Sequence, residues 1–213
     1  LAWASEIDVL PPSIISWQPS SIQRPLMSHR FAFIMDPLDR IDTAGDSSFA
    51  LMLEAQTRNC EIFFGEMSGL ELLGNAPWAH LKEIEVFEGR DDFFRVKSSA
   101  RHCLHDFDAI FMRKDPPIEA EYFASTFILD FVDRDRVTMV NDPRALRDCN
   151  EKMYAMRWPE LMPPTMVARS MARIKDFISE HGDVVVKPLN TSGGAGVIRL
   201  QDQDKNTGSI LEL

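Results

Sequence analysis

Short apolar runs alternate with helical patterns in the first part of the chain. Four runs have the length and apolar content of buried strands: residues 31–35, 61–64, 109–112 and 137–140. Two segments between them carry apolar residues on one helical face, the first from Asp46 or Ser47 to Asn59 and the second over 119–133. This alternation predicts a parallel sheet with right-handed crossovers. Residues 70–96 alternate only in part, which is compatible with a meander or a hairpin.

The pattern changes after Asn141. The predicted elements of this second part are a helix over 144–157, a strand over 165–168, a helix from Ser170 to Gly182, and strands over 184–186 and 197–200. Residues 1–26 lack the pattern of a signal peptide and are interpreted as an extension outside the fold. The fold class is therefore α/β, with an N-terminal, doubly wound parallel-sheet domain over 27–143 and a second domain over 144–213.

Composition limits the classes of partner. The 213-residue chain has a formal net charge of -10 and no cluster of Lys and Arg, so a nucleic-acid partner is not expected. No run of about 18 apolar residues occurs, so no membrane span is expected. The three cysteines, Cys60, Cys103 and Cys149, form no CxxC pair, and an odd number cannot be fully paired within one chain. Reduced thiols in a cytoplasm fit this pattern best.

Polar residues follow several of the predicted strands. They are Asp36, the triplet Asp46-Ser47-Ser48, Arg113 and Asn141. Ligands of open parallel sheets bind at the carboxyl ends of the strands, so these residues form one candidate binding rim. The large apolar residues Met52, Phe127, Phe131 and Trp158 are expected in the core instead.

The strongest local signal for chemistry is a strand that ends in a lysine and leads into a glycine loop. Residues 184–189 read VVVKPL, and residues 192–196 read SGGAG. Glycines let backbone N–H groups approach a polyphosphate, and the Lys187 ammonium adds a point charge. The motif lacks the GK[ST] of a Walker A loop, and a hairpin turn beside a surface lysine would look the same. Lys152, on the predicted helix, adds a second cation for a nucleotide held between subdomains.

Five separated motifs together resemble those of bacterial glutathione synthetases, in content and in order. They are FIMDP (33–37), DSSFALMLEAQ (46–56), MRKDPP (112–117), RDCNEK (147–152), and KPL with its GGAG loop (187–196). The resemblance covers about residues 27–199. It implies a pre-ATP-grasp domain over 27–143, followed by the first part of an ATP-grasp α+β domain.

The resemblance also implies an activity. Members of the family are ATP-dependent carboxylate–amine ligases that join γ-glutamylcysteine to glycine through an acyl phosphate, giving glutathione, ADP and phosphate. Mg²⁺ and lysines offset the charge on the transferring phosphoryl group. The family's acidic and Asn ligands for Mg²⁺ lie in a segment beyond residue 213, so we name no metal ligand and expect residues 1–213 alone to be inactive. Family members are homo-oligomers, so self-association through the N-terminal domain is expected.

Individual residues take their expected roles from the matching motifs. Lys152 and Lys187 correspond to the family's ATP-binding lysines, and Gly193 and Gly194 to its mobile phosphate loop. Arg113 corresponds to the arginine of MRKDPP. We expect its guanidinium to bind a carboxylate of γ-glutamylcysteine, because the planar fork pairs bidentately with that group.

The triplet Asp46, Ser47 and Ser48 corresponds to the family's DSS, at a helix N-terminus suited to a substrate anion. A plain helix cap is an equally open interpretation of the triplet. For Arg113 the alternative is a structural ion pair with Asp115 or another acid nearby.

The chain departs from the family pattern at residues 190–192, where Asn-Thr-Ser precedes the glycine pair and could stiffen the loop. Two other functions stay open. One is a catalytically incomplete fragment that acts only in oligomerisation or weak nucleotide binding. The other is an ATP-grasp ligase of different amino-acid specificity, against which MRKDPP and RDCNEK both argue.

Overall fold

A seven-stranded sheet forms the first part of the computed structural model, which describes residues 28–89, 91–191 and 193–212. Its strands are β1 (Arg30–Ile34), β2 (Glu61–Gly65), β3 (Leu70–Leu73), β4 (Ala76–Val86), β5 (Phe94–Cys103), β6 (Ala109–Met112) and β7 (Thr138–Val140). Their order is β3-β4-β2-β1-β6-β7, with β5 paired to β4. Strands β2, β1, β6 and β7 are parallel neighbours, as predicted. The extension predicted at 1–26 lies outside the described residues.

The parallel strands form a doubly wound sheet, which confirms the predicted fold class. The chain leaves β1 through helix α1 (Ser47–Thr57) to reach β2, and it leaves β6 through helix α2 (Ala120–Leu129) to reach β7 on the other side of the sheet. The two helices pack in different apolar clusters, so they cover opposite faces. The direction of winding therefore reverses between β1 and β6, and ligands of such sheets bind in the crevice at that point.

Strands β3, β4 and β5 extend the sheet as an antiparallel meander, one of the two forms predicted for residues 70–96. Strand β4 pairs with β5 along one edge and with β2 and β3 along the other. A register shift between Glu83 and Ile84 moves the buried positions of β4 from odd to even residues, for example from Leu81 to Ile84. This irregularity explains why the alternation in the sequence is only partial.

The core lies on both faces of β1. Ala32 and Ile34 pack in the cluster beneath α2, whereas Phe33 packs in the cluster with Phe49 and Met52 of α1. Successive side chains of a strand point to opposite faces, so a strand buried on both faces is a continuous apolar run. This is why the run at 31–35 predicts its strand correctly.

The second part of the chain carries a small antiparallel sheet. Its elements are α3 (Pro143–Asp148), α4 (Met171–His181), β8 (Asp183–Val186), β9 (Ile198–Gln201) and α5 (Thr207–Leu211). Helix α4 begins and ends as predicted, because the Ser170 hydroxyl accepts the N–H of Arg173 and Gly182 ends it at a positive φ of 74°. Strands β8 and β9 confirm the two predicted runs around the glycine loop.

Three predicted elements are wrong in extent or existence. The helix predicted over 144–157 ends at Asp148, because the side-chain carbonyl of Asn150 accepts the N–H groups of Lys152 and Met153 and so replaces the helical acceptors there. Residues 165–168 run without strand pairing, since no neighbouring strand of the described chain reaches them. The helix predicted over 119–133 is shorter and covers only α2.

The prediction of core positions is also wrong for three aromatic residues. Phe127, Phe131 and Trp158 are 56%, 47% and 44% exposed, whereas Met52 is fully buried as expected. Phe127 lies on the solvent face of α2, where the Arg147 guanidinium stacks on its ring at 4.6 Å.

The amide of Gln56 fastens helix α1 to the end of β4. Its nitrogen donates to the carbonyl of Val86 at 2.8 Å, and its oxygen accepts the N–H of Val86, also at 2.8 Å. Val86 is 1% exposed, so water cannot replace this pair readily. The side chain thus satisfies both backbone groups of one buried residue.

We predict that Gln56→Ala lowers the free energy of unfolding by about 1–3 kcal/mol, because it leaves the Val86 backbone without these partners. Urea unfolding followed by tryptophan fluorescence measures the change. Glu54→Ala, on the exposed face of the same helix, is the matched control and should change stability by about 0.5 kcal/mol or less. Equal losses in the two variants would contradict the role assigned to the amide.

Candidate functional site

Charged side chains lie at the reversal of winding, on the segments that follow β1 and β6. Asp36 follows β1, and its carboxylate pairs with the Lys114 ammonium at 3.0 Å. The second oxygen of Asp36 accepts the backbone N–H of Asp115 at 3.0 Å. These contacts join the two chain segments that leave neighbouring strands, and they place Arg113 beside the start of α1.

Arg113 binds the hydroxyls of the predicted serine pair. Its Nε donates to the Ser48 hydroxyl at 3.0 Å, and a terminal nitrogen donates to the Ser47 hydroxyl at 2.6 Å. The ion pair with Asp115 or another acid, proposed as the alternative, does not form among the described residues and is wrong. Two of the five guanidinium N–H donors are used in these contacts. The cation is thus held by neutral partners and keeps donors for an anion.

Asp46 caps helix α1. Its carboxylate accepts the N–H of Phe49 at 2.8 Å, which confirms the cap as one role of the triplet. Ser48 is 3% exposed and its hydroxyl faces Arg113. A direct contact of the triplet with a substrate stays a prediction.

The glycine loop joins β8 to β9 and needs its glycines for conformational reasons. Gly193, Gly194 and Gly196 have positive φ values of 60°, 80° and 70°. A side chain at Gly196 would also meet the ring of Pro188, because a Cβ there would lie 2.8 Å from the Pro188 Cγ. The chain therefore turns tightly and exposes its backbone, as a phosphate-binding loop requires.

Lys152 contacts this loop directly. Its ammonium donates to the carbonyl of Thr191 at 2.6 Å and lies 3.5 Å from the carbonyl of Leu189. It also pairs with Glu151 at 2.7 Å. Lys152 lies in a turn rather than on the predicted helix, but the structure brings it to the loop as a nucleotide clamp would require.

Lys187, the second predicted ATP-binding lysine, follows β8 and is exposed. Within the described residues, its ammonium makes no hydrogen bond or ion pair. An exposed cation without a partner, next to a loop of glycines, is available to an anionic ligand.

A cavity of about 530 Å³ lies between the sheet edge and the segment that leads to Lys152. Its lining includes Lys114, Tyr122, Asn141, Leu146 and Glu151. Asn141 was expected at this edge, whereas Lys114 and Tyr122 were not assigned to a site. The signal for Lys114 is its place in the MRKDPP motif, beside Arg113. Tyr122 carries no signal of its own, because its burial follows from the packing of α2.

The described ranges hold no cluster of metal ligands: no group of three or more His, Cys, Asp or Glu residues there could hold a metal ion. No described helix is both long and apolar enough to cross a bilayer. The three cysteines are free thiols, and burial raises the pKa of Cys60 and of Cys103.

The fold is that of an α/β protein, and it carries two groups of basic side chains, Arg113 and Lys114 at the crevice and Lys152 and Lys187 at the glycine loop. Comparison with known families makes the class specific. The chain matches "Prokaryotic glutathione synthetase, N-terminal domain" over residues 29–147 and "Prokaryotic glutathione synthetase, ATP-grasp domain" over residues 151–213. The chain belongs to the prokaryotic glutathione synthetase family.

Individual relatives agree with this assignment. The chain is 43% identical over 183 residues to a protein named glutathione synthetase from Vibrio cholerae, which covers 86% of this chain and 58% of the relative. A glutathione synthetase from Yersinia pestis is 38% identical, with 86% and 57% covered. The chain thus spans somewhat more than half the length of these relatives.

Among solved structures, D-alanyl-alanine synthetase A from Vibrio cholerae aligns with a TM-score of 0.44 and 11% identity, over 88% of this chain and 56% of that chain. A likeness this weak has no bearing on the site.

We predict that Asp46→Ala lowers the free energy of unfolding by about 0.5–2 kcal/mol, because the N–H of Phe49 loses its acceptor. Asp46→Asn keeps a side-chain acceptor and should unfold close to the unsubstituted chain. Urea midpoints of the two variants measure the difference. If Asp46→Asn is as unstable as Asp46→Ala, the carboxylate charge and not the cap is what the helix needs.

Proposed function

We propose that the complete protein is a glutathione synthetase, which ligates γ-glutamylcysteine and glycine at the expense of ATP and gives glutathione, ADP and phosphate. The observation that carries the proposal is the contact of the Lys152 ammonium with the glycine loop, which begins a few residues after Lys187. Membership of the family supports the choice of substrates. The proposed domain boundaries are 27–143 and 144–213.

The chemistry needs a group that turns a carboxylate oxygen into a leaving group, and ATP supplies it as an acyl phosphate. The residues suit the binding of such a nucleotide. The ammonium groups of Lys152 and Lys187 offset negative charge on the phosphates, and the backbone at Gly193 and Gly194 can approach them closely. Cations placed in advance stabilise the charge that develops during transfer without reorganising.

The crevice beside β1 and β6 suits γ-glutamylcysteine, the substrate whose carboxylate is activated. Arg113 points two of its donors at Ser47 and Ser48, which fixes the plane of the guanidinium. The remaining donors can bind a carboxylate of γ-glutamylcysteine. The N-terminus of α1 next to it adds a favourable field for an anion.

Other features of the proposal have separate support. Mg²⁺ is proposed from the family alone, with ligands outside the described residues. Self-association is supported by an apolar stripe along α2 and the turn after it, where Phe123, Phe127 and Phe131 are exposed at a spacing of four residues. The cytoplasmic location stays a prediction from the cysteines. That residues 1–213 alone do not ligate also stays a prediction, which phosphate release with all substrates and Mg²⁺ can test.

We predict that Lys187→Ala in the complete protein raises the KM for ATP and lowers kcat, because a cation leaves the phosphates. Lys152→Ala should do the same. Steady-state kinetics with ATP as the varied substrate measures both effects. Lys97→Ala, on the exposed strand β5, is the matched control: it also removes one positive charge, but from a strand of the first sheet, and should change neither the KM for ATP nor kcat. Unchanged ATP kinetics in both site variants would contradict the proposed nucleotide site.

We predict that Arg113→Lys weakens the binding of γ-glutamylcysteine by about 1–3 kcal/mol, because the charge stays but the planar fork is lost. The KM for ATP should change little. Isothermal titration with γ-glutamylcysteine gives the affinity, and Arg95→Lys on β5 is the matched control. Loss of the fold in Arg113→Lys, seen by circular dichroism, would instead assign the guanidinium to structure.

A further inference from the structure

We infer that Asn150 is a positioning residue for the nucleotide site: its side-chain amide holds the Lys152 turn and the glycine loop together. The inference rests on the proposed binding of ATP at this loop. The amide lies between the two elements, and each of its ends contacts a different one.

The oxygen of the Asn150 amide shapes the turn that carries Lys152. It accepts the backbone N–H of Lys152 at 3.0 Å and that of Met153 at 3.1 Å. An asparagine that bonds the backbone two and three residues ahead forms an Asx turn, which competes with a continuing helix. Helix α3 accordingly ends at Asp148, and the turn that follows directs Lys152 toward the loop.

The nitrogen of the same amide contacts the loop. It donates to the carbonyl of Leu189 at 3.4 Å, and the Lys152 ammonium lies 3.5 Å from that oxygen. The Leu189 carbonyl thus contacts both the Asn150 amide nitrogen and the Lys152 ammonium. The ammonium makes its shorter contact with Thr191, at 2.6 Å. Asn150 and Lys152, which belong to one turn, therefore both contact a loop that lies almost forty residues further along the chain.

The two contacts differ in what a phosphate does to them. A phosphate in the loop competes with the Thr191 carbonyl and the Glu151 carboxylate for the Lys152 ammonium, and as an anion it is a stronger acceptor than the carbonyl. The Asn150 amide is neutral and can keep Leu189 throughout. The amide therefore holds the loop in place while the Lys152 ammonium changes its partner. A loop that is already ordered loses less conformational entropy when the nucleotide binds.

Two substitutions separate the ends of the amide. Asn150→Asp keeps the acceptor for the turn but turns the donor into a carboxylate oxygen that faces the Leu189 carbonyl. Asn150→Ala removes both contacts. Asn75→Asp, in the exposed turn between β3 and β4, introduces the same charge away from the site and is the control.

The first measurement is hydrogen–deuterium exchange of the loop, residues 189–197, and of the turn, residues 150–154, in the complete protein without nucleotide. In Asn150→Asp we expect exchange in the loop to be roughly 2- to 10-fold faster, as the loss of one net hydrogen bond gives, and the turn to stay protected. In Asn150→Ala both segments should exchange faster. Unchanged loop exchange in both variants would overturn the inference, whatever nucleotide the protein binds.

The second measurement is the KM for ATP. Asn150→Asp should raise it several-fold with a smaller effect on kcat, because positioning and not charge is lost. A faster loop with an unchanged KM would overturn the role of Asn150 in nucleotide binding. The Lys187→Ala variant does not involve Asn150, so its kinetics tell separately whether the proposed nucleotide site itself is wrong.

Discussion

The burial of β1 on both of its faces is the constraint on which the location of the site depends. Phe33 and Ile34 are fully buried in different clusters, one beneath α1 and one beneath α2. A strand that packs helices on both faces has to be central, and in this sheet it pairs with β2 and with β6. The chain winds outward from it in two directions, so the crevice opens beside its carboxyl end. Asp36 and Arg113 lie there because the sheet places them.

The electrostatics of this crevice favour an anion for a specific reason. Arg113 is held by the hydroxyls of Ser47 and Ser48, which carry no charge. A carboxylate in their place would neutralise the guanidinium and leave little attraction for a substrate. The neighbouring ion pair of Asp36 and Lys114 has opposite charges and adds no net charge to the crevice. The net field at the start of α1 therefore comes from the arginine and the helix N-terminus, partly offset by Asp46 at the cap.

Sequence patterns predicted the elements whose burial is local and missed the features that depend on distant contacts. The run at 31–35 predicts β1 because all residues of the strand after Arg30 are apolar. The helix predicted over 144–157 is wrong in extent because the Asn150 side chain accepts the backbone N–H groups of Lys152 and Met153. The spacing of apolar residues in the sequence does not reveal such a contact. Phe127 looks like a core residue until its face of α2 is known. The contact between Lys152 and Thr191 joins residues 39 positions apart, so only the fold shows it.

A single chain segment connects the two candidate sites. It runs from Asn141 at the end of β7 to Lys152, and it is short and well anchored. Asp142 caps α3 by accepting the N–H groups of Arg144 and Ala145, and its hydrogen bond from the Arg134 side chain lowers the pKa of that carboxyl. The short length of this connection limits the separation of the crevice from the glycine loop, and the cavity of about 530 Å³ lies along it. The proposed ligation brings a carboxylate and a phosphoryl group within bonding reach, so a short, hydrogen-bonded connection between the two candidate sites fits that proposal.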